Sequence, residues 1–171
     1  MTIERLHIRP ACQDDVEAIV MFNAAMAFET EGHRLDLSTL RKGSLAFLGS
    51  PRYGFYIVAE LPEGKSYKPV GQLMITYEWS DWRNGIFWWI QSVYVVPDRR
   101  GLGVFRAMHD HILVKAKADP HVCGMRLYVE RENHRAQTVY QRVGLTPSVY
   151  MVFEQDFVLG HDVQRKEKEY P

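Results

Sequence analysis

The stretch Val93-Tyr94-Val95-Val96-Pro97-Asp98-Arg99-Arg100-Gly101-Leu102-Gly103-Val104-Phe105 brings together residue types that can bind an anion. An apolar, strand-like run stops at Pro97, passes through two arginines and two glycines, and opens directly into a helical pattern. The first amides of a helix have no carbonyl partner within it and lie at the positive end of its dipole, so they attract phosphate. Gly101 and Gly103 let the backbone approach such a group closely, and Arg99 or Arg100 adds positive charge. An ordinary tight turn would use the same glycines. No Gly-Lys-Ser or Gly-Lys-Thr follows, which excludes a Walker loop, and a dinucleotide fingerprint would need a third glycine.

About thirty residues further on stands Asn133-His134-Arg135-Ala136-Gln137-Thr138-Val139-Tyr140, followed by Gly144-Leu145. The two segments, in this order and spacing, resemble the acyl-CoA-dependent N-acetyltransferases of the GNAT superfamily. Arg100 to Phe105 is similar to that family's [QR]-x-x-G-x-[GA] motif after a strand ending V-x-P, and 133–140 to its N-x-x-A-x-x-x-Y motif. The resemblance covers roughly residues 55 to 150. Phe105 departs from it, because the family has a small residue there; a phenylalanine is expected to turn into the core.

The resemblance implies acetyl-CoA as co-substrate and no metal. Its phosphates would be held by Arg99, Arg100, Gly101, Leu102, Gly103 and Val104. Its pantetheine arm would pair with backbone groups near Val93 and Val95 and be steadied by Asn133. Tyr140 would give a proton to the departing thiolate. A phenol keeps its proton at neutral pH and can serve as an acid; the alternative is a ring that only packs on the core.

The acceptor implied is an amine, which must lose a proton before it can attack. Diamine acetyltransferases resemble this chain along Trp89-Ile90-Gln91-Ser92-Val93-Tyr94-Val95 but carry Glu where Gln91 stands. Glutamine is no base, although it can orient a water or hold a carbonyl. Other candidates are Glu29 and Glu31 near the end of the first helix, and Glu78 and Asp81 in Tyr77-Glu78-Trp79-Ser80-Asp81-Trp82-Arg83. That last segment could cage a cationic amine or simply cap a hairpin. His33, His109 and His111 are expected as packed or solvated side chains, since positions i and i+2 face different sides of a helix.

These residues need a frame that brings them together. Alternation over Ile3–Arg9 suits a strand ended by Pro10, and helical spacing follows to about residue 28, with Gly32 as the break. A second helix is expected over Asp36–Leu48. Strands are expected over Phe55–Glu60, Val70–Trp79, Ile86–Val96, Met125–Val129 and Val149–Phe157. Helices are expected over Leu102–Ala118 and from Ala136 to Val143, and the order is β-α-α-β-β-β-α-β-α-β. Hairpins in the first half imply antiparallel pairs, and the strand-helix-strand unit in the second implies a parallel one. The fold class is therefore α/β in layers. The resemblance implies a mixed, mostly antiparallel sheet with a splayed parallel pair, flanked by helices.

With 171 residues the chain fits one domain, expected over 1–160, with a charged tail over 161–171. Its 21 Lys plus Arg balance 21 Asp plus Glu, which argues against a nucleic-acid partner. Cys12 and Cys123 form no metal or redox motif. No signal-like segment or membrane-length apolar run is present, so a cytoplasmic protein is expected. The leading expectation is transfer of acetyl from acetyl-CoA to a small-molecule primary amine. A homodimer is one state open to the protein, since paired domains are common among similar proteins. A non-catalytic acyl-CoA sensor and a peptide N-acetyltransferase are the alternatives.

Overall fold

The structure is a computed structural model and describes residues 5–155 and 157–158. In chain order the elements are β1 (His7–Pro10), α1 (Val16–Glu31), α2 (Leu37–Leu48), β2 (Gly54–Glu63), β3 (Ser66–Ser80), β4 (Gly85–Val95), α3 (Val104–Ala118), β5 (Val122–Arg126) and α4 (His134–Arg142). The five strands form one sheet in the order β1-β2-β3-β4-β5. The pairs from β1 to β4 are antiparallel, and β4 with β5 is parallel. This is the mixed α/β sheet with a parallel pair that the sequence implies.

Alternation along the strands assigns the two faces of the sheet. Ile57 and Ala59 of β2, Leu73 and Ile75 of β3, and Trp88 and Ile90 of β4 form the core with Val104, Met108, Ile112 and Ala116 of α3. Each fully buried Ile or Leu in that layer contributes roughly 1.5–3 kcal/mol. The opposite face receives α1, which buries Ile19, Val20 and Asn23. Arg9 joins β1 to the start of that helix by bonding both oxygens of Asp15, at 2.7 and 2.9 Å. Burial would raise the Asp15 carboxyl pKa, but Arg9 and the Cys12 amide outweigh it and hold the value below the ordinary carboxylate range.

Several boundaries differ from the sequence expectation, each for a local reason. Helix α1 runs on to Glu31, where Gly32 ends it in the left-handed conformation. Helix α3 starts at Val104 rather than Leu102, because Gly103 stands before it at φ 94°. The first strand includes Pro10, which the sheet tolerates because β1 is an edge. Residues 3 and 4 of that expected strand lie outside the described residues.

Two strand expectations need correction. The strand placed at Met125–Val129 pairs instead over Val122–Arg126, and from Leu127 the chain has left β4. The strand expected at Val149–Phe157 does not form among the described residues; Val149, Val152 and Phe153 are largely exposed there. Strand propensity reflects fit to a pleated, half-buried surface, and this run has no such neighbour among the described residues. The tail 161–171 lies outside the described residues.

Candidate active site

The site begins where β4 and β5 part. Their pairing runs through Ile86↔Val122, Phe87↔Gly124, Trp88↔Met125 and Trp89↔Arg126, and then stops. From Ile90 to Val95 the edge of β4 turned toward β5 has no strand beside it among the described residues. The side chains of Val93 and Val95 nevertheless pack against the core. The strand is anchored by its side chains while one backbone edge lacks a strand partner, its Val95 carbonyl being met by the Arg100 side chain.

β4 is also irregular at this place. Gln72 pairs with Tyr94 and Met74 with Gln91, so two steps on β3 match three on β4. The extra residue makes a bulge, and Ser92 takes a left-handed φ of 48° that non-glycine residues seldom adopt.

Beyond Val95 the chain makes a 3₁₀ turn over Pro97–Arg99 and reaches Gly101 at φ 76° and Gly103 at φ 94°. A Cβ at either glycine would meet nothing within 4 Å, so these glycines border open space and answer a backbone requirement. The first bond closing α3 runs from the Ala107 amide to the Gly103 carbonyl at 3.0 Å. The amides of Val104, Phe105 and Arg106 therefore precede the helical ladder. No acidic side chain occupies the first turn. Phe105 does not fill this space: its ring meets Tyr140 edge-on at 5.5 Å and His109 at 6.0 Å. The phenylalanine turns inward, as expected.

The two arginines of the loop have different partners. Arg99 lies 3.3 Å from Asp98. Arg100 donates to the Val95 carbonyl at 2.8 Å and to Glu29 at 2.6 Å, and lies over the Tyr94 ring. The Tyr94 hydroxyl donates to the other Glu29 oxygen at 2.9 Å. Burial and Glu29 raise the pKa of that phenol, with Arg100 pulling the other way. Glu29 thus ties the end of α1 to the glycine loop, and both its oxygens are engaged.

Tyr140 lies on α4 and is half-buried beside the first turn of α3 through its contact with Phe105. Burial raises its pKa, so the phenol keeps its proton throughout the neutral range. Asn133 caps the same helix, its Oδ1 accepting from the Ala136 amide at 3.0 Å.

The face of the sheet on the α1 side carries a second polar row. Gln91 donates to Thr76 at 2.6 Å. Two positions along, Trp89 donates its indole N–H to Glu78, and Arg126 donates to Glu78 at 3.0 Å while stacking on Phe87. Glu78, Trp79, Ser80, Asp81, Trp82, Arg83, Arg126 and Tyr150 line a shallow cleft of about 260 Å³. Trp79 and Trp82 are exposed at its rim. The aromatic and acidic segment is therefore a rim rather than a closed cage, and its carboxylate already holds an arginine. His109 is buried on α3, whereas His111 lines a separate groove with Leu6 and Ile8.

Sequence reasoning missed Ser92, Arg126, and the buried side chains Asn23, Tyr56 and Gln72. Gln72 carried a usable signal: a glutamine amid Val70-Gly71-Gln72-Leu73-Met74 is an unusual choice for a core strand. Nothing in the sequence marks Ser92, because a left-handed serine has no composition cue.

The model of the acetyltransferase (GNAT) family matches residues 19–145. The chain belongs to that family, and is thereby an acyltransferase by class. Among solved structures, a possible acetyltransferase from Clostridium difficile 630 is 42% identical with a TM-score of 0.82, covering 91% of this chain and 99% of its own. A predicted acetyltransferase from Clostridium acetobutylicum, solved with acetyl-CoA, shares the fold at 17% identity and a TM-score of 0.69, over 91% of this chain and 99% of its own. AAC(6')-Iy, in complex with the bisubstrate analog CoA-S-monomethyl-acetylneamine, shares it at 15% identity and 0.69, over 90% and 99%. No curated protein matches the chain.

The inward turn of Phe105 makes a prediction. Phe105→Ala should cost about 2–3 kcal/mol in urea unfolding, a discount on the usual cost because the ring is only half-buried. Its affinity for acetyl-CoA should stay within about threefold. A variant as stable as the parent would place the ring outside the core.

Proposed function

We propose that the protein transfers acetyl from acetyl-CoA to a primary amine of a small molecule, by direct attack and without a covalent enzyme intermediate. One observation carries the reading: the open edge of β4 from Ile90 to Val95 runs straight into the glycine-bordered start of α3. An arm lying along Val93 and Val95 would extend the sheet by backbone pairing. Its phosphates would then meet the amides of Gly101 to Val104, where the helix dipole favours negative charge. Arg99 and Arg100 flank that point, Arg100 only after sharing or releasing Glu29. The thioester supplies an activated acetyl group, and the residues of this chain do the rest.

Tyr140 is the group suited to protonate the leaving sulfur, since burial keeps its proton in place. The bulge at Ser92 and Val93 offers main-chain N–H groups to the charge that develops on the carbonyl oxygen. The amine would approach over the face bearing Gln91, Thr76, Trp89 and Glu78. Gln91 orients it, and Glu78 supplies the carboxylate that accepts its proton directly or through water. Both carboxylates have their oxygens engaged, Glu29 by Tyr94 and Arg100 and Glu78 by Trp89 and Arg126. Glu29 serves as the brace for Arg100 because it lies at the glycine loop, whereas Glu78 shares the face of Gln91 and would take the proton on releasing one of its bonds. Much of the rate would come from holding thioester and amine together.

Calorimetry with acetyl-CoA tests the cofactor reading. Micromolar binding is expected, and Gly103→Glu should weaken it at least about 100-fold by placing a carboxylate where phosphate belongs. Absence of binding by the folded protein would contradict it. Once an amine screen gives turnover, Tyr140→Phe should lower kcat about 100-fold under conditions where chemistry limits the rate, with the acetyl-CoA Kd little changed. Unaltered turnover would remove Tyr140 as the acid. Binding without turnover across a broad amine panel would favour the sensor alternative.

A further inference from the structure

Beneath the bulge of β4 lies a chain of buried polar side chains that the steps above do not use. Gln72 of β3 is fully buried and Asn23 of α1 and Tyr56 of β2 nearly so. Gln72 Nε2 donates to the Ser92 carbonyl at 3.2 Å and to Asn23 Oδ1 at 2.7 Å. Asn23 Nδ2 donates to the Tyr56 hydroxyl at 3.3 Å. Burial raises the Tyr56 pKa, while hydrogen bonding with Asn23 and Ser92 opposes the rise.

The orientation of this chain is fixed by chemistry. A main-chain carbonyl can only accept, so the nitrogen of Gln72 must face Ser92. Asn23 must then present its oxygen to Gln72 and its nitrogen to Tyr56. Gln72 Oε1 is left buried without a partner. A fully buried carbonyl without a partner costs roughly 1–3 kcal/mol. Leucine or methionine would fill the position without that cost, so the glutamine answers to something other than core stability.

The peptide joining Ser92 to Val93 is trans, as are all those described. Its N–H therefore points opposite to its carbonyl. Gln72 holds the carbonyl on the β3 side, which turns the Val93 N–H away from β3, toward the side where β5 has diverged. We infer that Gln72, braced by Asn23, is a positioning residue: it fixes the left-handed Ser92 so that the Val93 N–H faces the acyl carbonyl oxygen. Gln72 itself touches no substrate. The inference rests on the acetyl-CoA reading proposed above, and it adds the side chains that set the direction of the bulge.

The test compares binding of acetyl-CoA with that of S-ethyl-CoA, a thioether of similar shape that lacks the carbonyl oxygen. The parent protein should prefer acetyl-CoA about fivefold, the worth of one ordinary net hydrogen bond of about 1 kcal/mol. Gln72→Met should bind the thioether as the parent does and lose the preference, to within about twofold. Loss of fold stability alone would not produce that pattern. Should Gln72→Met fail to fold, Asn23→Ala, which frees Gln72 to rotate, should reduce the preference in the same way. A folded variant that keeps the full preference overturns the inference, as does a parent that binds both ligands equally. Failure to bind either ligand instead overturns the cofactor reading.

Discussion

The parting of β4 from β5 after Trp89 and Arg126 is the constraint on which the site depends. A parallel pair that continued would satisfy the β4 edge internally and leave nothing for a ligand to bond. β5 is short and ends at Arg126, which ends the pairing, while α3 and its core partners keep β4 in place from below. An unpaired strand edge is ordinarily a hazard for aggregation. Here the edge leads, through the turn at Pro97–Arg99, to the glycine loop that precedes α3.

The same strand solves a conflict between rigidity and access. Val93 and Val95 commit their side chains to the core, so the backbone they carry cannot drift. Ser92 pays for the bulge with a left-handed conformation, which costs about 1–2 kcal/mol for a residue with a Cβ. Gln72 holds that conformation through its bond to the Ser92 carbonyl, while its own Oε1 stays buried without a partner. Charge is handled in a similar way at the two ends of the site. Arg100 is held against Glu29 near the loop, and Arg126 against Glu78 on the face bearing Gln91. Each arginine is thereby kept ordered beside a region that a charged ligand would enter.

Much of this frame was legible in the sequence, and the reasons are physical. Gly101 and Gly103 marked a loop whose backbone can lie close to a ligand, and the structure puts both at positive φ beside open space. Asp36 announced the start of α2, and its carboxylate caps the Thr39 amide. Periodicity located α3 and α4 to within two residues, because their buried faces repeat. What stayed hidden depended on residues distant in the chain. The register slip between β3 and β4, the pairing of Glu29 with Arg100 seventy-one positions away, and that of Glu78 with Arg126 leave no local trace. The run 149–157 misled for the converse reason: it has the composition of a strand without the neighbour that would make it one.

The central claim is that the open edge of β4 holds the extended arm of the co-substrate. Amide hydrogen exchange with and without acetyl-CoA tests it most directly, read by mass spectrometry over peptides spanning Ile90–Val95 and Gly101–Phe105. The account predicts that acetyl-CoA slows exchange at least about tenfold in both segments, because backbone pairing and phosphate contact occur together. Protection confined to Gly101–Phe105, with Ile90–Val95 exchanging as in the free protein, would contradict it.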